Sequence, residues 1–532
     1  MADIQKFDVI VVGFGDAGAA AAIEAADNGA RVLVLDRSYG GGASALSGGV
    51  VYAGGGTPQQ LANGFHDTPE NLYNYLQQEA GDAVDEATLR RFCEQSPGTI
   101  TWLEEQGASF ASSLAPYKTS YPTDRHYLYF SGNEKAYPYN EKAVPAPRGH
   151  RTVATGLASG KVLWTHLRDS ALRKGVTFVP LARVQDLVIE HGRVVGVKYR
   201  VLPGEKARSS GHEKYIKRSG KLGNWSPPLG KRFTDKADAI WEAGAVEEEV
   251  RAGAVILAAG GFIYNPEWVS RYAPQFTKIS PLGTPGDDGA GIRLGIDAGG
   301  RADKMGNITA WRFLAPPSAL IEGITVGMDG TRIANEDLYG ATHGDVLMRK
   351  FAGEGWAIYD SAIWKKARKQ TRSQTQIFQR LQLIYTFTAG HKKAASLEEL
   401  AQKTGIEARG LQATVAAYNT GISRGDGDPA HKAAEYCTPL LKPPFYALNI
   451  SAENAAFYPL PGLTLGGLTV DGESGLVVHR DGGTIPGLYA VGRNAVGVCS
   501  NSYISGLSLA DCIFSGRRAG AHAALTAHDD AA

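Results

Sequence analysis

An α/β fold built on a buried parallel sheet is what this 532-residue sequence predicts, and three observations predict it. The first is Val9-Ile10-Val11-Val12, a short β-branched apolar run of the kind found in strands covered on both faces. The second is the stretch directly after that run: Gly13-Phe14-Gly15-Asp16-Ala17-Gly18, an alanine-rich helical segment over Ala19–Ala26, and a second apolar run closing on Asp36. The third is a pair of distant strands that also close on glycine, Ala254–Ala259 before Gly260-Gly261 and Ile485–Val491 before Gly492. Both would return to the first sheet.

Each part of the opening unit has a physical task. Ala19–Ala26 has high helix propensity, and Asn28-Gly29 ends it with a residue suited to the left-handed region. Gly13 allows a tight turn, Gly15 lets the backbone approach a pyrophosphate, and Gly18 lets helix and strand pack closely. The helix N-terminus offers free N–H groups and a positive dipole end to phosphates. Asp36 lies where a carboxylate accepts hydrogen bonds from a ribose 2′-OH, and its charge disfavours a 2′-phosphorylated dinucleotide. A lone G-x-G-x-x-G says little; between a strand and a helix, with the acid beyond, it identifies a Rossmann-like dinucleotide unit.

Composition narrows the class. A chain this long buries a large core and divides into domains. A net charge of +1 gives no sign of nucleic acid as a partner, and no apolar run is long enough to cross a bilayer. Met1–Lys6 leads straight into the first strand, without a secretory or twin-arginine pattern. Cys93, Cys437, Cys499 and Cys512 form no metal or haem motif, so no metal is expected, and the expectation is a cytoplasmic protein with reduced thiols.

Along the chain, the Gly- and Ser-rich residues 38–57 read as a loop laid along a cofactor rather than as a linker, because they come directly after the ribose-binding strand. Residues 68–107 carry helical apolar stripes. Residues 115–150 mix Tyr117, Tyr121, Tyr127, Tyr129, Phe130, Tyr137 and Tyr139 with five prolines. That composition suits a self-packed surface loop or the wall of an apolar pocket, and the rigid aromatic surface favours the wall. His150 reads as a structural histidine. Val176–Pro180, Ala182–Ile189 and Val194–Val201 read as strands, interrupted after them by a charged insertion over about 204–247 whose basic run reads as a solvated face. A composition shift at 284–448, with a helical stretch around 356–420, marks an inserted α+β domain. The predicted organisation is a discontinuous dinucleotide domain, 1–283 and 449–532, around that insertion, ending in a helix near Leu507–Ala524.

Taken together, the N-terminal fingerprint, the Gly41–Ser47 loop, Ala258-Ala259-Gly260-Gly261, Arg332-Ile333-Ala334-Asn335-Glu336 and Pro486–Gly492 resemble the FAD-dependent fumarate reductase and 3-ketosteroid dehydrogenase superfamily, over nearly the whole chain apart from the insertion. The resemblance implies FAD as cofactor. Fumarate-type members hold a dicarboxylate with paired His and Arg; here that place reads Cys499-Ser500-Asn501-Ser502-Tyr503-Ile504-Ser505-Gly506, without either. A dianion there would lack charge partners, at a cost of roughly several kcal/mol in a dry site, so a neutral apolar substrate is expected. Tyr503-Ile504-Ser505-Gly506 and Tyr129-Phe130-Ser131-Gly132-Asn133-Glu134 are most similar to 3-ketosteroid Δ4-(5α)-dehydrogenases. A Δ1-dehydrogenase or an ene-reductase of the fumarate type is the alternative.

The resemblance implies a reaction in which hydride leaves C5 for flavin N5, a proton leaves C4, and the C3 oxygen accepts charge. Tyr503 would donate its O–H to that oxygen, helped by the backbone N–H near Gly506 or Leu507. Ser505 would contact C4 and pass the proton toward Tyr339, whose phenol needs help from cations or the flavin to act as a base. Carried onto this sequence, the cofactor-binding set is Gly13, Gly15, Asp16, Ala17, Gly18, Asp36, Arg37, Ser44, Ser47, Gly48, Gly49, Val184, Ala259, Gly260, Gly492, Arg493, Gly506, Leu507, Ser508 and Leu509. Arg493 departs from the superfamily, where an acid often comes after this glycine and holds the ribityl chain. Cys499 reads as a small buried hydrophobe. The partners implied are an apolar ketosteroid and an electron acceptor that the sequence does not identify.

Overall fold

The computed structural model describes residues 7–223, 227–453 and 458–529. Met1–Lys6, on which the expectation about a leader pattern rests, lies outside them. The organising sheet is six-stranded. Its strands are β1 (Val9–Val12), β2 (Val32–Asp36), β3 (Thr177–Pro180), β4 (Ala254–Leu257), β5 (Leu476–Val478) and β6 (Thr484–Ala490), in the spatial order β5-β6-β4-β1-β2-β3. The five strands from β6 to β3 are parallel, with Val9 opposite Val32 and Ala254, and Ile256 opposite Tyr489; β5 is antiparallel. Alternate residues feed two separate cores. Val9, Val11, Val32 and Val34 belong to one buried cluster, and Ile10, Val12, Leu33 and Leu35 to another. A sheet covered on both faces explains why the strands read as unbroken apolar runs.

Helix α1 (Asp16–Asp27) comes after β1 through the glycine turn. Gly13 has φ +107°, and a Cβ there would lie 2.4 Å from the Ala258 carbonyl oxygen, so no other residue fits. The C-terminal helix α2 (Leu507–Asp529) packs along α1. Cβ atoms added at Gly516 and Gly520 would stand 2.5 and 2.3 Å from the Ala17 and Ala21 carbonyl oxygens, which is how closely the two backbones approach. Arg517 reaches across to Glu24 at 2.8 Å.

On the other face lies an antiparallel meander of Ala182–Glu190, Arg193–Val201 and Val246–Arg251, turning at His191 and Gly192. Between its last two strands, Gly204–Ser210, His212–Gly223 and Pro227–Gly244 are helices. The insertion is tied down by Trp241, whose indole N–H donates to the Leu181 carbonyl at 2.8 Å beneath the guanidinium groups of Arg183 and Arg200. The cations of the meander thus meet an aromatic face as well as solvent.

The region expected as the inserted domain carries its own core and a four-stranded antiparallel sheet, in the order Ile324–Val326, Trp356–Tyr359, Phe445–Asn449, His391–Ala394. The helical reading of 356–420 is corrected at both strands. Trp356-Ala357-Ile358-Tyr359 is fully buried between two partners, where β-branched and aromatic residues pack well, and Gly390 breaks the helical run before His391. No helix among the described residues is long and apolar enough to cross a membrane.

Candidate active site

The nucleotide end of the site forms at the carboxyl ends of β1, β2 and β4. Asp36 ends β2 buried, and its two oxygens accept from the backbone N–H groups of Phe14 (2.8 Å), Ser38 (2.7 Å) and Gly40 (3.3 Å). A carboxylate has about four lone-pair sites, so one is left for a hydroxyl. The loop Gly40–Gly49 folds back over the fingerprint: Ser44 Oγ accepts from the Asp16 N–H at 3.1 Å, and Ser47 Oγ from the Gly49 N–H at 3.1 Å. Its chain passes so close to Ser159 and Tyr121 that Gly48 and Gly49 have no room for side chains. Arg37 pairs with Asp288 at 2.6 Å, and Val184 begins the meander against the second core.

Farther along, the mostly covered Arg493 lies beside Gly260 and Gly261. Its Nη2 pairs with Asp287 at 2.6 Å, and Asp287 also accepts from the Gly261 N–H and the Thr284 N–H. The departure seen in the sequence is thus balanced by an acid from another loop. Asn494 accepts a short hydrogen bond from the Ala259 N–H. Asp287 and Asn494 escaped the sequence reading because their partners lie over two hundred residues away, with no spacing to betray them.

The groups present fit FAD. Between the fingerprint and the segment after Gly492, buried polar atoms have no hydrogen-bond partner among the described residues: both Asp16 carboxyl oxygens, Arg493 Nη1 and Asn494 Nδ2. Burial pushes the Asp16 carboxyl up to about 7, so near neutrality it is able to donate as well as accept. Beside Gly492, Cys499 and Cys512 are buried and their thiols raised, foremost by that burial, which keeps them unreactive.

The far end is a cluster of hydroxyls and aromatic rings. Ser505 Oγ lies 3.0 Å from Tyr129 Oη, and it is among the groups that act on the Tyr339 phenol. The Tyr503 ring stacks on Trp311 at 5.0 Å and lies 6.4 Å from the Tyr339 ring, which meets Phe313 edge-on at 5.4 Å. The Ser505 backbone is stitched to the aromatic loop by Ser131, whose hydroxyl donates to the Ser505 carbonyl at 3.0 Å. Gly506, at φ +94°, accepts at its carbonyl from the Tyr52 N–H, and its own N–H faces the Tyr503 hydroxyl. The Leu507 N–H donates to the Ile504 carbonyl. Leu507, Ser508 and Leu509 open α2.

Behind these groups a buried polar network fixes the backbone. Asn133 accepts from the Tyr339 N–H at 2.6 Å and donates to Glu79 and Thr342. Glu79 also accepts from Tyr75 and Ser502. Burial raises the phenols of Tyr129, Tyr339 and Tyr503, and the charge that acts on Tyr339 is Glu134, which raises it further. With their phenols raised in this way, all three tyrosines are neutral near neutrality. Tyr129, Trp311 and Phe313 are the members that sequence reasoning gave no catalytic role. Tyr129 had a signal, the likeness of the Tyr129–Glu134 segment to steroid dehydrogenases. Tyr137 instead faces outward and stacks on His431 at 4.2 Å.

Two histidines near this wall stay neutral. His150 bridges Thr57 and the Arg148 carbonyl, each at 2.9 Å, and His343 meets Thr325 at 2.9 Å. Burial lowers both from 6.5 to about 4. The unfolded chain therefore takes up a proton at each on acidification that the native state refuses, and stability falls as pH drops from 6.5 to about 4. Replacing His150 with Gln is expected to flatten that fall by about one proton in denaturant unfolding measured across pH; an unchanged slope would refute it.

The chain belongs to the FAD binding domain family, whose model matches residues 8–509. FAD is its cofactor. The chain is 38% identical over 496 residues to the 3-oxo-5-alpha-steroid 4-dehydrogenase of Comamonas testosteroni, covering 91% of this chain and 92% of that one. It is 33% identical, with a TM-score of 0.82 and 98% of each chain covered, to the crystal structure of 3-ketosteroid-delta4-(5alpha)-dehydrogenase from Rhodococcus jostii RHA1 in complex with 4-androstene-3,17-dione. The 3-ketosteroid delta1-dehydrogenase of Sterolibacterium denitrificans shares the fold, at 20% identity, a TM-score of 0.67, and coverage of 98% of this chain and 100% of that one.

Proposed function

We propose that this chain is an FAD-dependent 3-ketosteroid Δ4-dehydrogenase, oxidising the C4–C5 bond of a saturated ring. The observation that carries the reading is the hydroxyl cluster of Tyr503, Ser505, Tyr129 and Tyr339, set among aromatic rings. It suits a neutral ketone and offers no charge to a dicarboxylate. The likeness to the Comamonas and Rhodococcus proteins supports it.

Bound FAD supplies the two-electron oxidant that accepts hydride from C5. The residues do the rest. Tyr503 O–H and the Gly506 N–H donate to the C3 oxygen as charge develops on it. Ser505 Oγ takes the C4 proton while handing its own to Tyr129 or Tyr339, which releases its phenolic proton to solvent in the same relay, so a neutral hydroxyl chain replaces a tyrosinate base. Gly13, Gly15, Ala17, Gly18 and the α1 N-terminus hold the pyrophosphate; Asp36 and Arg37 hold the adenosine side; Ser44, Ser47, Gly48, Gly49, Val184, Ala259, Gly260, Gly492 and Arg493 line the remaining length, and Ser508 and Leu509 direct the α2 dipole toward the ring.

We read 1–283 and 449–532 as one discontinuous FAD-binding domain, with 284–448 inserted as the catalytic domain. The support is that β6 and α2 rejoin β4 and α1. All four cysteines are free, which suits a cytoplasmic setting.

The test is anaerobic mixing of the FAD-loaded protein with 5α-androstane-3,17-dione and, separately, its 5β isomer. Bleaching of the flavin with a 4-ene-3-ketone product from the 5α isomer is expected. A 1-ene product, or bleaching by neither isomer, would overturn the reading.

A further inference from the structure

We propose that the face carrying the helix α3 (Ile377–Thr388) docks on an anionic lipid surface. The helix is inverted in polarity. Its buried side presents Gln379, Leu383 and Thr386, whereas Ile377, Leu381 and Ile384 are 75%, 63% and 59% exposed. Their spacing puts all three on one stripe, and Phe378 broadens it. Scattered exposed apolar side chains are ordinary, but a continuous stripe on one helix marks a surface that something covers.

The charge along this stretch of sequence has one sign. From Ser361 to Leu397 the sequence holds eight lysines and arginines and no acid, in a chain of net charge +1. The flanking helix Ser361–Gln374 and strand His391–Ala394 both pack on α3. Lys366 is paired with Glu322; Lys365, Arg368, Lys369, Arg372 and Lys392 are exposed and in no ion pair among the described residues. Apolar side chains flanked by unpaired cations match the boundary between anionic headgroups and acyl chains, the first burying the stripe and the second meeting phosphate.

The position of the face supports the same occupant. Gln376, capping α3, donates to the Pro122 carbonyl at 3.0 Å and to Asp124 at 2.7 Å. Phe378 lies 6.4 Å from Tyr121, whose hydroxyl donates to the Gly48 carbonyl at 3.0 Å in the cofactor loop. The docking face is therefore fastened to the loop that walls the active site, and a lipid-soluble substrate would reach that loop without crossing water. This last link rests on the ketosteroid reading; the docking itself does not.

The experiment is co-sedimentation of the FAD-loaded protein with vesicles of phosphatidylglycerol and phosphatidylcholine in equal parts, against phosphatidylcholine alone. Pelleting with the anionic vesicles only, weakened by added salt, is expected. Lys365→Gln and Lys369→Gln should each lower partitioning about five-fold. The double variant Leu381→Gln/Ile384→Gln should abolish it, with turnover of a soluble ketosteroid unchanged because none of these residues touches the hydroxyl cluster. No pelleting, or pelleting indifferent to both kinds of variant, would overturn the proposal. So would a dimer in size exclusion that the double variant splits, since a second copy would then be the occupant. Pelleting without ketosteroid turnover would leave the docking standing and remove the catalytic reading.

Discussion

Tyr503→Phe is expected to lower kcat by about 10²–10³, the usual effect of removing one oxyanion donor. The substitution removes only the phenolic oxygen. The ring is held by Trp311 on one side and Tyr339 nearby, so the pocket wall keeps its shape. The Gly506 N–H remains and should sustain residual turnover. Bound flavin and its spectrum should be unchanged, which separates this loss from a folding defect. Stopped-flow bleaching under anaerobic conditions isolates the step. Equal rates in the variant and the parent would mean that the C3 oxygen is held elsewhere. Tyr129→Phe, which leaves the Tyr339 hydroxyl beside Ser505, should cost less.

Asp67→Ala should destabilise the fold by about 3–5 kcal/mol, the usual cost of leaving one partner of a buried ion pair alone. Arg148 and Asp67 are both fully buried and joined by two parallel bonds, Nε to Oδ2 and Nη2 to Oδ1, each 2.9 Å. Asp67 also accepts from the Gly55 N–H, Gln60 and Asn71, so one carboxylate holds four elements. Its pKa is lowered: burial alone would raise it, but Arg148 and these donors outweigh that. The charged form is therefore the stable one above the ordinary carboxylate range, and its contribution is lost as pH falls through the depressed pKa. Replacing both partners with apolar residues of similar size should cost far less than Asp67→Ala. Denaturant unfolding of the single and double variants decides it; a single variant within about 1 kcal/mol of the parent would contradict the account.

The features legible in the sequence were local. The turn at Gly13–Gly18, the acid at Asp36 and the strands closing on Gly260 and Gly492 are written in consecutive residues, because a phosphate cradle needs glycines and a helix start at fixed spacing. Tyr503, Ser505 and Tyr339 could be named from short motifs, and the structure brings them together. The features that stayed hidden are pairwise and distant. Arg493 is matched by Asp287, and Trp311 stacks on Tyr503, with nothing in either neighbourhood to announce it. The 356–420 region misled for a different reason: two short strands sit among strong helix formers, and pairing with Phe445–Asn449 overrides local propensity.

The sheet order has a consequence for how the chain is made. β1 and α1 leave the ribosome more than four hundred residues ahead of β6 and α2, which complete their sheet and cover α1. At about 5–20 residues per second, the alanine face of α1 waits on the order of a minute for its cover. Once β4 has emerged, the edge that β6 will occupy is an open strand, and the glycine-spaced groove for Gly516 and Gly520 is bare. Biosynthesis of this protein is thus a problem of guarding an unfinished edge, because a nucleotide cradle begun at Gly13 is completed only by strands made hundreds of residues later.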